Sequence, residues 1–249
     1  MERLTSRKSA IIRHFRALGG DQSYRYEKGE YLCDGPKMLQ EAIRFGAQIK
    51  TVLWKEEAFD PAGLVCEAEY TAPEDLFDYA SPLKNSPGPL FSVSIRGCGK
   101  PAPLQRALVL ENVQDPGNVG TVIRSANAFG IQTVILTGSC ADLYHPKTVR
   151  STMGAIFRQN VIRLDLGGLN ALLRDSGLAL YGAALSERAV DIRSLDLHRC
   201  AVAVGSEGRG LSGELLALCK GEVIIPMRPE SESLNAAVAA SVILWEMAR

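Results

Sequence analysis

Three polar loops hold the residues best placed to do chemistry. The first lies within Leu110 to Gly130 and carries Asn112, Asp115, Pro116, Gly117 and Asn118 ahead of a helical pattern that contains Arg124. A polar, glycine-bearing helix start after a buried strand is a natural anion site, because first-turn N–H groups have no partner within the helix. Taken singly, Arg124 reads as a solvated arginine on the side away from Val119, Val122, Ile123, Ala126 and Phe129, which face the sheet. Asn118 reads as a helix N-cap, and Gly130 as the C-terminal stop. The second loop is Val204 to Ser212, where Gly205, Gly208 and Gly210 let backbone amides come close to a ligand. Many strand-to-helix turns look like this, and Glu207 has Arg209 or another surface cation to pair with. The third runs from Ile224 to Met247: a strand ends at Pro226, and a helix begins near Ser231 or Ser233. That helix is small-sided (Ala236, Ala237, Ala239, Ala240, Ser241), which suits tight packing on a sheet. Asn235, near its start, is an amide that needs partners if buried.

The elements that must position these loops follow from periodicity. From Arg106 onward, apolar runs at 107–110, 133–136, 160–164, 178–183, 201–204 and 223–225 alternate with helical patterns. Near-continuous apolar strands separated by helices predict a parallel sheet covered on both faces. Ligands of such sheets bind beyond the C-terminal strand ends, where all three loops fall. The first 95 residues read as a smaller α/β unit. A helix is expected over 3–18, and a second over 36–45 with Asp34 as cap, Pro36 in its first turn and Gly46 as its end. Strands are expected at 49–54 and 90–95. Residues 96–103, rich in glycine and proline, read as a linker. The predicted domains are 1–95, a linker 96–104, and 105–249.

Composition narrows the field without naming a function. The chain has 249 residues, 46% hydrophobic and 22% charged, with 28 basic and 28 acidic side chains. That excludes a disordered chain and counts against binding driven by bulk phosphate attraction. Residues 1–30 hold seven Lys/Arg against four Asp/Glu, a mild basic bias. The six cysteines are scattered without a CxxC, so reduced thiols are expected and no metal site. With no apolar run of about 18–20 residues and no secretory signal, a cytoplasmic protein without a membrane span is expected. Neither a Walker nor a GxGxxG loop occurs.

In this order, Asn112 to Arg124, Gly205 to Leu211, and Ile225-Pro-Met227 with Ser233-Leu-Asn235 resemble the three signature motifs of the SpoU/TrmH methyltransferases, within the SPOUT superfamily. Lys147 to Arg158 resembles the pattern between the first two. Gly29 to Gly35 resembles the ribosomal-protein-like substrate-binding domain of rRNA-modifying members, with Asp34 where the family often has Glu. The resemblance implies a parallel-sheet catalytic domain with a trefoil knot, preceded by a small α/β RNA-binding domain. The implied reaction is methyl transfer from S-adenosylmethionine to a ribose 2'-hydroxyl, without metal. Gly205, Ile225, Met227, Leu234 and Asn235 would hold the methyl donor. Arg124 would be the central catalytic residue, Asn118 would place the nucleotide, and Ser233 and Asn235 would support it. Glu207 would hold Arg124 or a partner subunit. Arginine, with a pKa above about 12, is a poor base, so a cationic Arg124 stabilising the developing alkoxide or a neighbouring phosphate is the expected role. RNA (rather than DNA), large-subunit rRNA in particular, and a second copy of the chain are the implied partners. The rivals are the same reaction on tRNA, a base-modifying relative, an RNA-binding homologue without catalysis, and a nucleotide-dependent α/β enzyme.

Overall fold

Ser9 decides where the first helix begins. Its Oγ accepts the Ile11 N–H at 3.3 Å, and helix α1 runs over Ala10–Gly20, not from residue 3. Upstream, Glu2–Arg3 forms strand β1, so Leu4 is buried beside a sheet edge and not on a helix. The structure is a computed structural model describing residues 1–56, 62–83, 85–95, 104–228 and 233–249. Most of the expected linker, 96–103, lies outside the described residues, as does Ser231. Contacts divide the chain into two units, Met1–Gly97 with Asp142–Arg158, and Cys98–Ala141 with Gln159–Arg249.

In the first unit α1 is followed by α2 (Gln22–Lys28), β2 (Glu30–Asp34), α3 (Pro36–Arg44), β3 (Ile49–Lys55), β4 (Cys66–Ala72), α4 (Glu74–Ala80) and β5 (Leu90–Ser94). Asp34 does not cap α3. Gly35 occupies the cap position at φ 97°, and the Asp34 carboxylate instead accepts the Ser86 hydroxyl at 2.6 Å. The sheet order is β1-β4-β3-β5-β2, with β5 antiparallel to both neighbours. One face packs Ile12, Phe15 and Leu18 of α1 against Leu76 and Phe77 of α4. Burying each such side chain stabilises the unit by about 1.5–3 kcal/mol.

The second unit begins with β6 (Arg106–Glu111), α5 (Pro116–Ala128) and β7 (Thr133–Thr137). The chain then makes α6 (Pro146–Ser151), β8 (Asn160–Arg163), α7 (Leu166–Ser176), β9 (Ala179–Ala183), β10 (Val190–Asp191), β11 (Cys200–Val204), α8 (Gly213–Leu216), β12 (Gly221–Ile224) and α9 (Ala236–Ala248). All six expected runs are strands, displaced by at most two residues at an end; β10 was not expected. The seven strands are parallel throughout, in the order β10-β12-β9-β11-β6-β7-β8. Their C-terminal ends therefore share one edge. The loops after β6, β11 and β12 leave from that edge within four adjacent strand positions.

Residues 142–158, which the sequence reading assigned to the second domain, group with the first unit. Val149 and Phe157 share a core there with Met38, Leu39, Trp54 and Phe91. Asp142, with 7% of its side chain exposed, accepts Arg25 Nη2 at 2.7 Å and Nε at 3.1 Å, and the Tyr26 hydroxyl at 3.0 Å. The crossover between β7 and β8 is thus anchored by a buried ion pair within the first unit.

Candidate active site

The loop after β6 is held by its own polar groups. Glu111 is 4% exposed, and its carboxylate accepts the Ser212 N–H at 2.7 Å and hydroxyl at 2.6 Å, fixing the far end of the glycine-bearing loop. Asn112 sits at φ 57°, a conformation uncommon outside glycine, and its Oδ1 accepts the Ser139 N–H at 2.8 Å. Asp115, not Asn118, is the N-cap of α5; it accepts the Asn118 N–H at 2.9 Å. The Asn118 amide is thereby left to point elsewhere, and it donates to Glu207 Oε1 at 2.9 Å.

Glu207 is the hub of a small cluster. The same Oε1 accepts the Asn235 amide and, at 3.1 Å, the Ala236 N–H at the start of α9. Asn235 Nδ2 also reaches Asn118 Oδ1 at 3.3 Å. Asn235, and not Ser233, caps α9, through Oδ1 accepting from Ala237 at 3.0 Å and Val238 at 3.3 Å. One residue from each of the three loops therefore meets at one carboxylate oxygen. Glu207 is bonded to neither Arg124 nor Arg209, and Asn235 is exposed, although its amide has partners. Arg124 does not join the cluster; its side chain is exposed and makes no hydrogen bond or ion pair among the described residues.

Beside this cluster lies a cavity of about 490 Å³. Gly205, Glu207, Ile225, Met227, Ser233 and Leu234, from the second and third loops, line it, whereas Asn118, Arg124 and Asn235 do not. Leu211, Leu216, Val204 and Val223 add apolar wall. Gly205 is dictated by the loop itself: a Cβ there would lie 2.2 Å from the Gly210 carbonyl carbon and oxygen. On the other side of the cluster, Asn118 and Asn235 border an open groove of about 450 Å³, with Thr121, Val238, Val242 and Trp245. Glu207 lines the cavity while its two amide partners line the groove.

Sequence reasoning missed a polar corner of the cavity. Glu222 accepts the Ser186 hydroxyl at 2.5 Å and Arg188 Nη2 at 2.9 Å, and all three line the cavity. The signal was available for Ser186 and Arg188, whose loop follows β9 at the same sheet edge; Glu222 precedes β12's apolar core and carries no pattern. The nearby Cys219 thiol is not a nucleophile at neutral pH, because burial pushes it up to about 11. Among the described residues no His/Cys/Asp/Glu group could hold a metal ion, and no helix is long and apolar enough to cross a membrane.

A model described as the SpoU rRNA Methylase family matches residues 105–245. The chain belongs to the SpoU rRNA methylase family. Among its relatives is a 23S rRNA guanosine 2'-O-methyltransferase of Bacillus subtilis, 30% identical over 99% of both chains. A 23S rRNA uridine 2'-O-methyltransferase of Streptomyces viridochromogenes is 30% identical over 99% of this chain and 92% of its own. Among solved SpoU-type structures, an AdoMet-bound rRNA methyltransferase from Sinorhizobium meliloti superposes with a TM-score of 0.87 at 26% identity, covering 99% of this chain and 97% of its own. These likenesses run the whole length, so they include the smaller N-terminal sheet as well as the SpoU domain.

Proposed function

We propose that this protein transfers a methyl group from S-adenosylmethionine to a ribose 2'-hydroxyl of large-subunit rRNA, in the cytoplasm and as a homodimer. The observation that carries the reading is the meeting of the Asn118 and Asn235 amides at Glu207, which also lines the cavity, in a chain of this family. The cavity fits the methyl donor in size and character, since pockets for such ligands span roughly 300–1,000 Å³ and are mostly apolar with a few placed polar groups. Ile225, Leu234 and Leu211 offer faces for an adenine ring, the Gly205 and Met227 backbones offer edge contacts, and Ser186 and Glu222 supply polar partners. When bound, S-adenosylmethionine supplies a methyl group already activated by its sulfonium.

The chain's own residues have the remaining tasks. Glu207 fixes the Asn118 and Asn235 amides, which border the groove where a nucleotide would lie. Holding two reactants at about 3–3.5 Å can supply roughly 7–11 kcal/mol of the barrier. Arg124 has no protein partner among the described residues, so its guanidinium is available to RNA. It stays cationic and stabilises the developing alkoxide or a neighbouring phosphate, and Ser233 supports the site from the cavity rim. The pairing of copies is supported by the α9 face, where Val238, Val242 and Trp245 are 49%, 39% and 57% exposed beside Asn118 and Asn235. A partner covering that face would complete the groove.

The test is transfer of labelled methyl from S-adenosylmethionine into unmodified 23S rRNA and tRNA transcripts, followed by nucleoside analysis, with Arg124→Ala as control. A 2'-O-methylnucleoside in rRNA that vanishes in the control is expected. A methylated base, or incorporation into tRNA alone, overturns the reading. Because the two full-length relatives are named for guanosine and uridine, the same analysis also reports the target nucleoside.

A further inference from the structure

The first unit carries a cationic surface that the site does not use. Arg3, Arg7, Lys8, Arg13 and Arg16 are all exposed, on β1, the segment after it and the outer side of α1. The first twenty residues hold these five cations against Glu2 alone, in a chain with 28 residues of each sign. Elsewhere cations are commonly paired: Lys50, Lys55, Arg158, Arg188 and Arg193 each meet a carboxylate. Among the described residues none of the five does. Of the α4 carboxylates nearby, Glu74 and Asp78 are taken by Lys55, and Asp75 makes no ion pair with the group.

Two of the five are also pre-organised. The guanidinium carbons of Arg7 and Arg16 lie 4.5 Å and 4.1 Å from the centre of the Tyr79 ring, and Arg16 Nη1 donates to the Tyr79 carbonyl at 2.7 Å. Stacking engages the face of a guanidinium and leaves its edge donors, which match a phosphate in a two-point bond. Leaving five like charges together uncompensated is unfavourable for the protein alone. A polyanion relieves that repulsion.

We infer that this face, Arg3–Arg16 with Tyr79, is where the first unit grips the rRNA phosphate backbone. The inference rests on the proposed function and deepens it, since it assigns substrate affinity to a surface separate from the reacting residues. Its contribution is to binding and register, not to the chemical step.

The test compares Lys8→Glu/Arg13→Glu with Arg174→Glu/Lys220→Glu, a double reversal of equal charge at exposed positions of the second unit. Affinity for an unmodified 23S rRNA transcript is measured against potassium chloride concentration, alongside kcat, KM and the S-adenosylmethionine Kd. The patch variant should raise RNA Kd and KM at least about tenfold and reduce the log–log salt slope by about 1.4–1.8, at 0.7–0.9 per lost phosphate contact. Its kcat and S-adenosylmethionine Kd should stay at wild-type values, and the control should change little. A wild-type protein that methylates the transcript, with a patch variant that binds it equally well, overturns the inference alone, as does a control that loses as much. A wild-type protein that neither binds nor methylates the transcript overturns the proposed function with it.

Discussion

Adding one methyl group at Gly205 tests whether the loop after β11 forms the methyl-donor cavity. The alanine Cβ would lie 2.2 Å from the Gly210 carbonyl carbon and oxygen and 2.6 Å from the Leu211 nitrogen, whereas ordinary contact begins at 3.4 Å. These neighbours are backbone, so no rotamer change relieves the overlap and the loop must open by about 1 Å. Opening strains the Gly210 N–H bond to Ser206 O, now 2.9 Å, at about 1 kcal/mol, and overpacking adds about 1–3 kcal/mol. Closing the loop around a ligand then costs about 2–4 kcal/mol more, a rise of roughly 30- to 700-fold in S-adenosylmethionine Kd. Gly208, in the same loop, has nothing within 4 Å of a built Cβ. Calorimetric titration of S-adenosylmethionine into Gly205→Ala and Gly208→Ala, with unfolding midpoints recorded for both, decides the matter. Wild-type affinity in Gly205→Ala refutes the reasoning, and an equal loss in Gly208→Ala shows that general loop stiffness, not this close approach, sets affinity.

Arg25→Met leaves Asp142 buried without its ion partner and should destabilise the protein by about 3–5 kcal/mol in denaturant unfolding; a loss under about 1 kcal/mol would show that the pair is not a tether. Arg124→Ala should lower kcat by about 10²–10³, and Arg124→Lys should retain measurable turnover if charge is what matters; equal loss in both would point to guanidinium geometry. The His14 hydrogen bond holds the Glu30 carboxyl below its ordinary value of 4.5, so the stability this pair contributes is present above 4.5 and lost as pH falls through the lower folded value. Urea midpoints of wild type and Glu30→Gln should therefore converge in acid, and a constant gap across that range would contradict the assignment. Val242→Arg with Trp245→Arg should convert a dimer to monomers in sedimentation equilibrium, and an unchanged mass would remove the α9 face as the pairing surface.

The catalytic half was legible because its central strands carry near-continuous apolar runs, as in β7 and β11, where every residue is buried. Loop positions followed from strand ends, and the cavity gathers Gly205, Ile225, Met227 and Leu234, while Asn235, expected with them, borders the groove instead. What failed was local capping. Asn118 and Ser233 are both plausible caps by type, but Asp115 and Asn235 are better aligned with the first free N–H groups, and no spacing rule ranks them. Glu207's partners were missed for a related reason: an arginine two residues away attracts attention, while two amides 89 positions before and 28 after do not. The helix expected from residue 3 failed because Leu4 fits a helical stripe and a sheet edge equally well. The docking of 142–158 onto the first unit was invisible, since Val149 and Phe157 have the same apolar signature whichever core receives them.

That docking changes what a single cut can do. The chain passes between the two units three times, at 97/98, 141/142 and 158/159. Cleavage within 96–103 therefore leaves 142–158, part of the first unit, on the C-terminal product, and packing with residues 1–95 should keep the two products together through gel filtration until denatured. A shortened gene product starting at residue 105 would keep its reaction loops but carry Val149, Phe157 and an unpaired Asp142 stripped of their cover, and so would be prone to aggregate. The reverse product, ending at 95, would be missing a piece of its own interior. For this protein the natural unit of expression, inheritance and failure is the whole chain.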